Sequence, residues 1–324
     1  MKKKIKVDRK QWEKVIEKVL PGHQPYMEQG EVTGTYMLKG EAINNFYIEN
    51  FTYMNLRERQ TIVAEIDQIL DRNTDWKIDY KALEKFVEKA KMVFDSSEDQ
   101  SKYQGKELLI SLVLNAVNQF CFWYDPNDQK KRALSSGDFW DVNLSTIRNV
   151  IDKAVTLRYE RKMITKEILD AYDDALNGSH SFTSFLHEIL TNSFAFNSDF
   201  FKKKKNLLFM LMVRSKKQLG LDDIGMESMS QFIKSINPAI DYQIPRMLRG
   251  YGIIQCINPN INPEGILVKD SIEEITLRAI CYKILIKIQD DHNIDQTTLD
   301  WILWSKRNED FKNVKHHCTL TTDY

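Results

Sequence analysis

The chain has little glycine, proline or cysteine, no excess of either charge and no long apolar run. Its 324 residues include 12 glycines and 7 prolines, which argues against a long flexible linker. The four cysteines, Cys121, Cys256, Cys281 and Cys318, stand far apart without the two-residue spacing of zinc or redox motifs, so they read as ordinary reduced thiols. No stretch approaches the roughly 20 apolar residues that span a bilayer. Lys plus Arg number 46 and Asp plus Glu also 46. Such a balance leaves no overall field for DNA, RNA or an anionic membrane, and a nucleic-acid partner would need a local patch. The start, Met1-Lys2-Lys3-Lys4-Ile5-Lys6, is basic but runs into Val7-Asp8-Arg9-Lys10. It lacks the apolar stretch of a secretory signal, and a cytoplasmic protein is the simplest reading. There is no internal repeat, no glycine-rich phosphate loop and no strained-turn serine signature.

What the chain does have is helical periodicity. Hydrophobic residues make up 42 %, enough for a sizeable core. Trp12, Val15, Ile16 and Val19 recur at three- and four-residue spacing until Pro21-Gly22 stops the run. Residues 32–54 are rich in Thr, Tyr and Phe, with glycines at 34 and 40, a pattern of short strands or irregular structure. Helices are expected over 56–70 and 83–93. Residues 107–122 are apolar nearly all round, the mark of a buried helix, and end in the turn-forming run Trp123-Tyr124-Asp125-Pro126-Asn127-Asp128. Further helices are expected over 144–157, 165–176, 181–190, 206–219 and 228–236. Residues 251–257 and 265–268 read as a two-stranded excursion, and Ser271-Ile272-Glu273-Glu274 has the spacing of a capping box. One mainly helical domain over 1–324, with at most a small β element, is expected.

Five segments are candidates for chemistry. In Ile240-Asp241-Tyr242-Gln243-Ile244-Pro245-Arg246-Met247-Leu248-Arg249, proline favours an early helical position. Asp241 therefore reads as a carboxylate at the start of a short helix ending near Gly250. The helix dipole favours its charged form, which suits an electrostatic or water-activating role better than proton donation; the plainer reading is a helix cap. Lys202-Lys203-Lys204-Lys205 precedes an apolar helix. Four lysines in a row usually make a solvated helix start, although one amine can line a pocket and serve as a point charge for an anion. Asn118-Gln119-Phe120-Cys121-Phe122-Trp123 and Asp138-Phe139-Trp140-Asp141 supply aromatic faces. These stack on flat heterocycles, worth about 1–3 kcal/mol per base, and are equally good core. His316-His317-Cys318-Thr319 lacks the spacing of a metal site, and neither a metal nor a cofactor is expected. His180 and His187 read as structural histidines.

Taken together, Gln119-Phe120-Cys121-Phe122-Trp123, the Asp241 segment, Glu274-Ile275-Thr276-Leu277-Arg278-Ala279 with Leu299-Asp300-Trp301-Ile302-Leu303-Trp304, and the tail from His316 to Tyr324 resemble the queuosine salvage family. These are queuosine 5′-phosphate N-glycosylases, distantly similar to helix-hairpin-helix DNA glycosylases. The chain departs from that family in the lysine helix, where Lys205-Asn206-Leu207-Leu208 is the nearest equivalent of its Lys-Arg-Ala-Gln, and in the tail, where Cys318 and Leu320 replace arginines. Thr276 also stands where the family has an acidic residue. The resemblance implies an all-helical hydrolase of tRNA-modification salvage, acting on a nucleotide or nucleoside and not on a membrane or nucleic acid, with a glycosylase-like core over 106–324 preceded by an N-terminal part, 1–105. Asp241 would face the anomeric carbon. Lys205, or Lys204, would be the active-site lysine. Phe122, Trp123 and Trp140 would clamp the deazaguanine ring, and Arg249, His316 and His317 would meet the ribose or phosphate. A DNA base-excision glycosylase and a non-catalytic helical binding protein are the alternatives.

Overall fold

The computed structural model describes residues 45–92, 101–129, 132–177, 182–221, 224–306, 311 and 313–324. The helix expected around Trp12 to Val19, and His180, lie outside them. The described residues are mainly helical, with one two-stranded sheet, and fall within one compact unit. No helix among them is long and apolar enough to cross a membrane.

The helix Gly105–Asn118 is buried on every face from Leu108 onward, as its all-round apolar pattern requires. It packs on the helix Lys203–Arg214, while Asn45–Arg72 packs on Met226–Ser235 and on Ile272–His292. Two apolar clusters result. One gathers Leu112, Phe120, Phe139, Phe209 and Tyr242; the other gathers Phe201, Ile240, Leu248, Leu277 and Leu285. Asp241 lies between Ile240 of one cluster and Tyr242 of the other, so the chain crosses the seam at this residue.

Several local expectations are corrected. Residues 45–54 are helical, because Ile48 and Phe51 bury one face of the helix Asn45–Arg72. The helix expected to reach Phe122 stops at Asn118, and only Ile147–Ile151 is α-helical within 144–157. The strand Ile254–Cys256 pairs antiparallel with Trp76–Ile78 and not with 265–268. Instead, Ile266 forms a parallel bridge with Cys318. Gly252, at φ +73°, takes the left-handed turn out of the preceding helix that a residue with a Cβ resists. At Ser271 half of the capping box forms: its hydroxyl accepts the Glu274 N–H at 3.3 Å. Glu274 turns elsewhere, accepting from the Asp270 N–H at 3.2 Å and from the Tyr324 hydroxyl at 2.6 Å.

Candidate active site

Asp241 ends a buried segment, 236–241, that has no regular structure of its own. Buried carbonyls need donors, and here side chains supply them. Arg59 Nη2 donates to Ile236 O at 2.8 Å, Asn206 Nδ2 to Pro238 O at 3.0 Å, and Arg278 Nη2 to Ile240 O at 3.1 Å. Asn237 is tied on both sides, accepting from Arg59 Nε at 2.7 Å and donating to Asn55 O at 3.0 Å. The segment is thus anchored by three helices. Asp241 is 4 % exposed, and its Oδ1 accepts the N–H groups of Gln243 at 2.7 Å and Ile244 at 3.1 Å. These are two of the free donors that open the helix Gln243–Gly250. Pro245 sits in that first turn, where its missing N–H costs nothing. The cap reading and the site reading describe the same carboxylate.

The lysine run is not a solvated helix start. Lys203, Lys204 and Lys205 are 3, 2 and 1 % exposed, and helical rotation sends their amines in three directions. Lys205 Nζ pairs with Glu58 at 2.7 Å, so the amine expected as the active-site lysine is engaged by another carboxylate. Lys203 Nζ donates to the Gln119 carbonyl, and Asp241 acts on it through charge. Burial pushes its pKa down to about 8 against the opposing charges of Asp241, Asp300 and Asp199. Lys204 Nζ lies 5.0 Å from the Phe120 ring centroid and has no hydrogen-bond partner among the described residues. Burial lowers it to about 7, with Asp323 opposing.

Beyond Asn118 the backbone turns sharply, with Cys121 at φ +38°. Its inward carbonyls meet cations. Arg161 donates to Asn118, Phe120 and Cys121, and its guanidinium carbon sits 4.0 Å from the Phe120 ring centroid. Phe122 and Trp123 are buried, and Phe122 packs 6.1 Å from Phe139. Phe122, Cys121 and Arg161 border a cavity of about 10 Å³, room for one water molecule. A purine-sized ring can rest on Phe122 only if its neighbours move. Trp140 is 41 % exposed and does not close a buried clamp. A larger recess of about 390 Å³ is lined by Lys216, Met226, Met229, Ile233 and Gln289 among others, and by none of the candidate residues.

The last segment folds back onto the site. The His316 ring lies 4.5 Å from that of Tyr242, and its Nδ1 is 2.6 Å from the His317 carbonyl. A carbonyl only accepts, so Nδ1 carries the proton. Burial drops the His316 pKa to about 4. His317 is fully buried, with neither ring nitrogen hydrogen-bonded to any of the described residues, and burial takes its pKa well below the ordinary value. Arg249 reaches the Lys315 carbonyl and lies 3.5 Å from Glu264, so it braces the tail. Tyr324 O accepts from the Cys121 N–H at 3.4 Å, linking the tail to the aromatic loop.

The structure therefore groups Asp241 with Lys203 through charge, and with His316 through Tyr242. It sends Lys205 to Glu58, leaves Trp140 at the surface and engages Arg249 with the tail. Lys203, Asp199 and Arg278 were missed by sequence reading. Lys203 stood unsingled in the lysine run and Arg278 in the segment Glu274–Ala279, while for Asp199 the signal is the four-residue step to Lys203, which sets the carboxylate beside the helix start. No protein-family model matches the chain, and no curated protein matches it.

Proposed function

We propose that the protein hydrolyses the N-glycosidic bond of a modified purine nucleoside or nucleotide in the cytoplasm, with queuosine 5′-phosphate as substrate and queuine as the released base. The observation that carries this reading is Asp241: a carboxylate 4 % exposed, with one oxygen fixed by two N–H donors on a segment that side chains hold from three helices. The resemblance of the Asp241, aromatic and tail segments to the queuosine salvage family supports the substrate class.

In the reaction the bond from C1′ to the base nitrogen breaks and its electrons leave with the base. Positive charge builds on the sugar, water adds to C1′, and the water's proton goes to solvent or base. A preorganised carboxylate in a water-poor site stabilises that charge more in the transition state than in the ground state. Lys203, with a pKa near 8, takes the role expected of Lys205, as an amine balancing the carboxylate or meeting a substrate oxygen. The burial of Lys203, Lys204 and Lys205 supports a small-molecule substrate, because buried amines cannot neutralise duplex phosphates. Incubating the protein with nucleosides and their 5′-monophosphates, followed by chromatography, tests the reading. Free queuine from queuosine 5′-phosphate is expected; no base released from any of them would reject it.

A further inference from the structure

Arg278 joins the two parts of the chain that carry Lys203 and Asp241. Its Nη2 donates to Asp199 Oδ2 at 2.9 Å and to the Ile240 carbonyl at 3.1 Å. The same Asp199 oxygen accepts the backbone N–H of Lys203 at 2.9 Å, and Ile240 directly precedes Asp241. One nitrogen therefore spans the gap between the start of the lysine helix and the aspartate segment. The guanidinium is itself fixed. Its other nitrogen, Nη1, faces Glu274 at 3.4 Å, and its carbon lies 4.4 Å from the Phe201 ring centroid and 4.1 Å from that of Tyr324. The Tyr324 hydroxyl holds Glu274 in turn, at 2.6 Å. An arginine sandwiched between two rings and bonded at both ends has little freedom, so whatever it bridges is held at one separation.

We infer that Arg278 is a positioning residue: through Asp199 and the Ile240 carbonyl it sets the distance between the Lys203 amine and the Asp241 carboxylate, a role in hydrolysis that rests on the reaction proposed above. Charge alone does not do this. A lysine at 278 keeps the charge but presents one nitrogen where the guanidinium presents two, and cannot serve Glu274 and the Asp199–Ile240 pair together.

The test uses the full chain with Arg278→Lys. The expected result is a kcat reduced about tenfold to a hundredfold, the scale of a misplacement near 1 Å, with KM nearly unchanged. A second readout needs no activity. In a ¹³C-lysine NMR titration, the Lys203 signal, assigned by its loss in Lys203→Met, should show a lowered midpoint, because its carboxylate support is displaced while the nearby positive charge is kept. Wild-type kcat together with an unmoved Lys203 titration in Arg278→Lys would overturn the inference, since charge alone would then suffice. If the natural protein releases no base but the Lys203 midpoint moves, the bridge stands and the glycosidic reading fails. Should Arg278→Lys not fold, the isosteric Asp199→Asn replaces it. A fall in kcat at nearly constant KM is then expected, and an unchanged kcat overturns the inference.

Discussion

At a helix start, a shift of one residue turns a side chain by about 100°, and this separates three lysines that are neighbours in sequence. Lys203 meets the Gln119 carbonyl and the field of Asp241, Lys204 lies against Phe120, and Lys205 pairs with Glu58. The sequence marked the run but not the phase, because the helix was expected from Asn206 and begins at Lys203. Asp241 was legible: the proline four residues later placed a helix start nearby, and the carboxylate caps it. Substitution separates the lysines by function. Lys203→Met is expected to lower kcat for base release by about a hundredfold, the scale of removing one electrostatic group. Lys205→Met should leave kcat within a few-fold and lower stability by about 1–3 kcal/mol, because Glu58 is only partly buried and recovers some solvation. Parallel kinetics and urea unfolding of the two variants check this. A larger kcat loss in Lys205→Met would return the active-site role to Lys205.

The helix Lys203–Arg214 opens with three buried amines, against its own dipole, which disfavours positive charge at an N-terminus. Local preference opposes this arrangement, so packing must impose it, and that is why the run read as solvated. A pH signature follows. Lys204 has a folded pKa of about 7 against about 10.4 unfolded. Between those values the unfolded chain binds more protons, so this residue makes stability rise with pH across the window. Lys204→Met removes the effect. It should be more stable than the natural chain by a few kcal/mol near pH 6, with the gain shrinking towards pH 10. The Cys121 thiol, pushed up to about 12 by burial, works in the opposite direction above about pH 8.5, but it is common to both proteins and cancels. Denaturant unfolding of both from pH 6 to pH 10 measures the difference, and a constant gap would mean that Lys204 is not a strained amine. At this scale the amphipathic helices were legible from apolar spacing. The pairing of Ile254–Cys256 with Trp76–Ile78 was not, because a partner about 180 residues away leaves no local pattern.

Across the whole molecule, the last segment acts as a strap over the seam between the two apolar clusters. Val314 O accepts from Arg246 at 2.5 Å, His316 O from Gln129 at 2.8 Å, and Asp323 from Ser198 at 2.7 Å and Lys269 at 2.8 Å. From sequence it read, by resemblance, as part of the site; nothing in its composition announces its burial. Its two histidines make the fold sensitive to acid. His316 is held at about 4 and His317 well below its ordinary value, first by burial and then by nearby positive charge, including Arg246, Arg132 and Arg249 around His316. The unfolded histidines titrate near 6.5, so their contribution is intact above that pH and is lost as pH falls towards 4. His316→Phe, which keeps a ring on Tyr242, should lose less stability than the natural chain between pH 7 and pH 5, by about 1–2 kcal/mol; equal losses in thermal unfolding would refute a neutral buried His316. The measurement that bears most directly on the whole account is single-turnover release of queuine from queuosine 5′-phosphate by the natural chain and by Asp241→Asn. The amide can still accept both N–H bonds that Asp241 Oδ1 takes from Gln243 and Ile244, so the variant should fold. It should release the base about a hundred- to a thousandfold more slowly. Equal rates in the two proteins would contradict the account.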